Sequence, residues 1–277
     1  MVLGISSFTY GWAIGVEGNQ PSKPMTELDL VMTAVEHGLH CVQIGDNLPI
    51  DTFEEERIAA LKSFVQEKHM RLEIGARKLT AENLARYIAL ADTLEAPLLR
   101  FIIDGDHYEP DIGTVQSLIR DFVPELAKRK ITLGIENHDR LKAKELAAII
   151  DYIDSPWVGV CLDCVNSMGA GEGLEHVANI LAPFTVNLHI KDFTCERLPH
   201  KMGFLVTGVP AGKGLTNVPL LINKIGAYNR CQSAVLEQWV PPSNDIVSTI
   251  IKESAWGREG IEYLKGFNVF QSKSSKN

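Results

Sequence analysis

The chain has no long apolar run and no excess of basic charge, and each absence excludes a class of protein. No apolar stretch in its 277 residues approaches the roughly 18 residues that a membrane-spanning helix requires. The formal net charge of −8 at pH 7 gives no electrostatic attraction to phosphate backbones or anionic lipid surfaces. We therefore expect neither nucleic acid nor a membrane among the partners.

A disulfide framework is also missing. The five cysteines are odd in number and irregularly spaced, as reduced thiols of a cytoplasmic protein are. The first residues, MVLGISSFTYGWAIG, lack the basic start and cleavage signature of a signal peptide, so they are interpreted as a first strand. Cys161 and Cys164 form a C-x-x-C pair, but side chains alternate along a strand, so the two are expected on opposite faces as packing thiols.

What the chain does contain is an alternation of short β-like runs and longer helical patterns. The clearest helical segments are EEERIAALKSFVQEK, AENLARYIALADTLE and KELAAIIDYI, and Thr80 is a plausible N-cap for the second. A glycine-rich phosphate fingerprint after the first strand is absent, which argues against a dinucleotide fold. The predicted strands are 3–10, 41–47, 71–77, 98–104, 131–137, 158–164, 185–191 and 233–239.

Eight strands, each followed by a helix, predict an α/β protein with a single (β/α)₈ TIM barrel. The barrel is expected over residues 1–270, with a polar C-terminal tail over 271–277. The segment Thr194–Asn217 is too long for a simple connection and is expected to be a lid or a binding loop.

Four of the β-like runs end on a carboxylate or an imidazole. These residues are Glu136 in ITLGIENHD, Asp163 in VGVCLDC, His189 in TVNLHIKD and Glu237 in SAVLEQW. Barrel enzymes work at the carboxyl ends of their strands, so the four side chains are expected to meet. Three oxygen ligands and one nitrogen suit one divalent ion such as Mn²⁺, Mg²⁺ or Co²⁺, with Zn²⁺ as an alternative. Separate solvated loop residues or internal ion pairs are the competing interpretation.

The segments IENHD, CLDCVNS, HIKD and LEQW, with Gly-Lys-Gly at 212–214, resemble the sugar phosphate isomerase/epimerase superfamily of xylose isomerase-like barrels. The resemblance covers nearly the whole chain. It implies a small carbohydrate substrate, a divalent metal on the four residues above, and Glu136 and Glu237 as acid and base. A homodimer is expected from the resemblance alone. The epimerases of this group carry histidine, arginine and glutamate where this chain has Asn166, Cys195 and Lys142, so a ketose 3-epimerase specificity is not implied.

These residues predict a metal-dependent isomerase or epimerase of a sugar or related polyhydroxy carbonyl compound. Removal of an α-proton would give a metal-stabilised enediolate, and its return from the opposite face or to the neighbouring carbon would complete the reaction. Loss of a β-hydroxyl would instead make the chain a dehydratase of an inosose-like or dehydroshikimate-like compound. A non-catalytic sugar-binding barrel remains a third interpretation.

Other residues are candidates for substrate contacts because they are polar or aromatic and lie near strand ends or in the glycine-rich segment. Lys191 is expected to neutralise developing oxyanion charge, and Trp12 and Trp239 to form apolar walls. The full set of predicted substrate-binding residues is His138, Lys191, Asn166, Arg100, Gln43, Trp12, Trp239, Arg197 and Lys213.

Overall fold

The computed structural model describes residues 1–270, so the predicted tail over 271–277 lies outside the described residues. Eight parallel strands close into a barrel in the order β1-β10-β7-β6-β5-β4-β3-β2, which confirms the predicted (β/α)₈ fold. The ten strands of the described chain are β1 Val2–Ser6, β2 Cys41–Ile44, β3 Arg71–Arg77, β4 Leu98–Ile102, β5 Thr132–Glu136, β6 Val158–Asp163, β7 Thr185–Ile190, β8 Asp192–Arg197, β9 Phe204–Val209 and β10 Ser233–Leu236.

Helices surround this barrel, and the three most clearly predicted ones are confirmed as α3, α4 and α6. Helix α4 begins where the Thr80 side chain accepts a hydrogen bond from the backbone N–H of Asn83, so Thr80 is its N-cap. Within residues 1–270, no helix is both long and apolar enough to cross a membrane. The helices are α1 Gly11–Ile14, α2 Glu27–Glu36, α3 Glu55–Glu67, α4 Ala81–Leu94, α5 Ile112–Arg129, α6 Ala143–Ile153, α7 Leu174–Leu181, α8 Val218–Gly226 and α9 Ile246–Lys265.

Several barrel strands end earlier than predicted, and the reason is local. The first strand was expected to reach residue 10, but the Ser6 side chain accepts from the backbone N–H of Phe8 and starts a 3₁₀ turn over Ser7–Tyr10. Strands β7 and β10 likewise stop at Ile190 and Leu236. The polar side chains that follow therefore lie at the rim of the barrel.

The segment expected to be a long loop is partly regular, which corrects that prediction. Strands β8 and β9 form an antiparallel hairpin, with Asp192 opposite Val209. The glycine-rich stretch after β9 is held by the carboxylate of Asp192, which accepts from the backbone N–H groups of Gly212, Gly214 and Thr216 at 2.8–2.9 Å. The signal for the hairpin is the alternation of apolar and polar residues in FTCER and the β-branched and aromatic content of FLVTG, separated by a turn that contains proline and glycine.

The hairpin approaches the backbone after β10 so closely that only glycine fits at position 208. A Cβ atom at Gly208 would lie 1.8 Å from the carbonyl oxygen of Trp239. We expect Gly208→Ala to displace Trp239 and to lower the free energy of unfolding by about 1–3 kcal/mol, the usual cost of overpacking. Urea denaturation, followed by tryptophan fluorescence, measures both effects.

The matched control is Gly226→Ala at the end of α8, where a Cβ would meet nothing within 4 Å. That substitution is expected to be neutral or to stabilise by up to about 1 kcal/mol, because alanine costs less backbone entropy than glycine. Equal stability of the two variants would contradict the close approach of the hairpin.

Candidate metal centre and cleft

The four predicted metal ligands converge at the carboxyl end of the barrel strands. Nδ1 of His189 lies 3.3 Å from Glu237 Oε1, 3.8 Å from Glu136 Oε2 and 3.9 Å from Asp163 Oδ2. All four side chains are buried, with no more than 1% of any of them exposed. The imidazole therefore lies among three carboxylates in a region with little access to water.

The register of the barrel explains this convergence. Asp163 and His189 are direct neighbours on β6 and β7, and Val235 of β10 pairs with His189 on its other side. Glu237, two residues after Val235 and the first residue beyond the end of β10, then lies at the rim. Parallel strands bring residues with unrelated chain positions to one rim, as the sequence pattern predicted.

Each carboxylate is held by further contacts. Asp163 Oδ1 accepts from the backbone N–H groups of Val165 and Asn166, both at 2.9 Å. Glu136 Oε1 accepts from the side-chain amide of Asn166 at 2.9 Å, and Glu237 Oε1 accepts from the Ser6 hydroxyl at 2.7 Å. Each of the three carboxylates thus keeps its other oxygen turned toward a buried cation.

Two buried cations partly neutralise the cluster. Nζ of Lys191 lies 2.7 Å from Asp163 Oδ2 and 2.9 Å from Glu237 Oε2, and Arg100 pairs with Glu136 through Nε. Burial alone would lower the pKa of Lys191, but the neighbouring carboxylates raise it above its ordinary value. Burial alone would raise the pKa of Glu237, but His189, Lys191 and Arg100 outweigh it and lower the pKa to about 2.

Four buried atoms of the cluster lack a well-formed hydrogen bond: Glu136 Oε2, Asp163 Oδ2, His189 Nδ1 and Arg100 Nε. The two carboxylate oxygens are ion-paired with Arg100 and Lys191. Incompletely satisfied buried polar atoms cost free energy and are a feature of sites that bind an ion or ligand. Two sets with metal-binding geometry occur among the described residues, Asp163–His189–Glu237 and Glu136–Cys161–His189. The predicted ligands thus fit a divalent ion, and Cys161 is an additional ligand candidate that the sequence did not single out.

A cleft with a volume of about 290 Å³ opens above this cluster, which is room for a small sugar-sized molecule. Trp239 forms part of its wall, with the Lys191 ammonium 5.6 Å from the ring centroid. The lining residues that the sequence predicted are Arg100, Glu136, His138, Asn166, Lys191, Glu237 and Trp239.

The other predicted substrate-binding residues lie elsewhere. Gln43 is buried beneath the cluster and contacts His189 instead of the cleft. Trp12 lines a neighbouring groove, because its indole N–H donates to the carbonyl of Val240. Arg197 stacks over Phe204 on the hairpin.

Lys213 is also outside the cleft. It is 61% exposed and pairs with Glu259 on α9, at 3.2 Å. Its position between two glycines suggested a flexible contact to an anionic substrate, but the hydrogen bonds of Asp192 fix the backbone of that segment on the outside of the barrel.

Sequence reasoning missed several residues of the cleft. The most informative are Asp46 and Arg77, since Asp46 bridges Arg77 at 3.2 Å and Arg100 at 2.6 Å. Arginine pairing lowers the pKa of Asp46 despite its burial. Asp46 follows β2 and Arg77 ends β3. Both therefore lie at the carboxyl end of a strand, the position from which the four metal ligands were predicted. The remaining lining residues are Phe8, Ile102 and Asp139.

The fold and the site together define the class: a closed parallel barrel with a small cleft above a buried cluster of carboxylates and imidazole, which are residue types that could hold a metal ion. The chain belongs to the family of xylose isomerase-like TIM barrels, whose family model matches residues 31–267. Members of this family include enzymes that act on sugars and related compounds.

Among curated proteins, the chain is similar to the 3-oxo-isoapionate decarboxylase of Pectobacterium atrosepticum, with 28% identity over 99% of both chains. A xylose isomerase-like barrel protein of Mycobacterium smegmatis, solved in complex with magnesium, superposes with a TM-score of 0.69, 14% identity, and coverage of 95% of this chain and 97% of that one. The D-psicose 3-epimerase of Clostridium cellulolyticum H10, solved with D-tagatose, gives a TM-score of 0.69, 16% identity, and coverage of 96% and 97%. At 14% and 16% sequence identity, these two structural similarities show a shared fold.

Proposed function

We propose that the protein is a divalent-metal-dependent enzyme that forms and protonates an enediolate of a small polyhydroxy carbonyl compound. The observation that carries this proposal is the convergence of Glu136, Asp163 and Glu237 around Nδ1 of His189 beneath a sugar-sized cleft. A divalent cation held there, such as Mn²⁺, Mg²⁺ or Co²⁺, would supply a Lewis acid for the negative charge on the two oxygens of the enediolate.

The side chains of the cleft have distinct roles in this proposal. Glu136 and Glu237 both line the cleft and both lie within 3.8 Å of His189 Nδ1, so one is suited to take the α-proton and the other to return a proton. The Lys191 ammonium lies at the cleft floor and adds positive charge where the enediolate forms. Trp239 and Phe8 line the wall and reduce access of water to the substrate carbons. Two carboxylates in one cleft suit isomerisation or epimerisation.

A second candidate reaction is decarboxylation of a 3-oxo sugar acid. It is favoured by the full-length similarity to a 3-oxo-isoapionate decarboxylase. Decarboxylation reaches the same enediolate without a base, because the bond to the carboxyl carbon breaks, CO₂ leaves and its electron pair stays on the substrate. The protein then has only to supply a proton.

Product analysis in D₂O tests the proposal. Ketoses, inososes and 3-oxo sugar acids would be incubated with the protein and Mn²⁺, Mg²⁺ or Co²⁺. Deuterium in the sugar without CO₂ identifies isomerisation or epimerisation, CO₂ release identifies decarboxylation, and a new ultraviolet absorbance from a conjugated enone identifies dehydration. With metal bound, the absence of all three would contradict enediolate chemistry on these substrates and favour a sugar-binding barrel.

Variants separate the roles of the carboxylates. Glu136→Gln and Glu237→Gln are each expected to lower turnover by about 10²–10⁴-fold, the range for loss of a positioned acid or base. Glu196→Gln, an exposed residue of the β8 hairpin strand, is the matched control and should keep the wild-type rate. If decarboxylation is the reaction, one of the two glutamate variants should retain most of the rate of CO₂ release, since no base is needed for bond cleavage.

A further inference from the structure

His189 turns one ring nitrogen toward the carboxylates and the other toward the barrel interior. Nε2 lies 2.7 Å from Oε1 of Gln43, a buried residue of β2. An amide oxygen can only accept a hydrogen bond, so this contact requires the proton of the neutral imidazole on Nε2. The orientation of the Gln43 amide therefore decides which nitrogen of His189 is free to bind a metal.

That orientation is determined by the groups on the other side of Gln43. Its Nε2 donates to Glu73 Oε2 at 3.1 Å and to Asn187 Oδ1 at 3.0 Å. Asn187 is oriented in turn, because its own Nδ2 donates to the Ser233 hydroxyl at 2.9 Å. A reversed Gln43 amide would lose both of these hydrogen bonds and direct its oxygen at two other acceptor oxygens, which is costly in a buried site.

Glu73 is the anchor of this network. Its side chain is fully buried, and Oε1 accepts from the Ser233 hydroxyl at 2.6 Å and from Nε of Arg71 at 2.7 Å. The ion pair with Arg71 stabilises the ionised carboxylate, which is an acceptor only. A chain of hydrogen bonds thus runs through the barrel interior from Arg71 through Glu73 and Gln43 to His189.

We propose that Gln43, oriented by Glu73 and Asn187, holds His189 in the tautomer with its proton on Nε2, so that the Nδ1 lone pair is directed at the three carboxylates. Gln43 is then a positioning residue for the metal centre and has no contact with substrate. This reassigns a residue that the sequence placed in the substrate site. The metal-binding consequence rests on the proposed function, whereas the tautomer itself does not.

Groups that orient a metal-binding histidine typically change metal affinity by about 10–100-fold when they are replaced. Gln43→Met keeps the length of the side chain but removes the amide oxygen. We expect this variant to bind Mn²⁺ about 10–100-fold more weakly in calorimetry, because His189 then also populates the tautomer with its proton on Nδ1.

The direct readout is the nitrogen NMR spectrum of the metal-free protein at alkaline pH, where imidazoles are neutral. The His189 signals are assigned by their loss in His189→Gln. The wild type should show the proton on Nε2, and Gln43→Met should show a mixture of tautomers. Thr185→Val is the control, since Thr185 is buried but its hydroxyl donates to the carbonyl of Leu181, outside this chain of hydrogen bonds, and it should leave both the spectrum and the Mn²⁺ affinity unchanged.

A wild-type spectrum with the proton on Nδ1 would overturn the proposal, even if Gln43→Met fails to fold. So would a folded Gln43→Met protein with a single Nε2–H tautomer and wild-type affinity. A wild-type protein that shows the expected tautomer but binds none of the divalent ions would contradict the proposed function alone.

Discussion

Replacing Lys191 with methionine is expected to destabilise the metal-free protein by about 3–5 kcal/mol, the usual cost of removing one partner of a buried ion pair. The Lys191 side chain is 8% exposed, and its ammonium lies within 2.9 Å of both Asp163 and Glu237. Methionine fills a similar volume but leaves the two carboxylates without a neighbouring positive charge. Urea denaturation in the presence of a chelator measures the loss.

A divalent cation should restore part of this stability, because it supplies positive charge to the same carboxylates. The difference between chelated and Mn²⁺-loaded protein is therefore expected to be larger in Lys191→Met than in the wild type. Lys213→Met is the matched control, since its pair with Glu259 lies at the surface and should contribute no more than about 1 kcal/mol. A loss of under 1 kcal/mol in Lys191→Met would show that the carboxylates do not depend on this cation.

Replacing His189 with alanine is expected to remove the metal ion from the protein. The wild type should carry about one divalent ion per chain, a stoichiometry that follows from a single cluster of ligands. His189 belongs to both ligand sets of the described residues and supplies the nitrogen ligand of each. Replacing a group that only orients a metal ligand weakens metal affinity by roughly 10–100-fold, so the loss of the ligand itself should weaken it by more. Mass spectrometry of the native protein measures the occupancy, and calorimetry measures the affinity.

His138→Ala is the matched control for this experiment. His138 lines the cleft but pairs with Asp139 at 3.4 Å and keeps 30% of its side chain exposed, so it is outside the cluster of ligands. It should therefore retain the metal, even if it binds substrate less well. Equal metal content in the two variants would refute the assignment of His189 as a ligand.

The sequence pattern alone predicted the barrel and placed its candidate site at the carboxyl ends of the strands. Eight repeats of strand and helix pattern predict a closed parallel barrel, and every carboxyl strand end then lies at one rim. Glu136, Asp163, His189 and Glu237 stand at the ends of their runs, which places all four at that rim. Their convergence was therefore predictable without knowledge of any long-range contact.

The partners of each side chain depended on the tertiary structure. The rule that polar residues near strand ends face the site made Gln43 a candidate for substrate contact, but only the neighbouring strands put it beneath His189, where Glu73 and Asn187 orient its amide. The same rule carries no information on loops, so Trp12 went to a neighbouring groove through its bond to Val240. Local sequence determines where along a strand a residue lies. The register between strands and the packing of loops decide which other residues its side chain contacts.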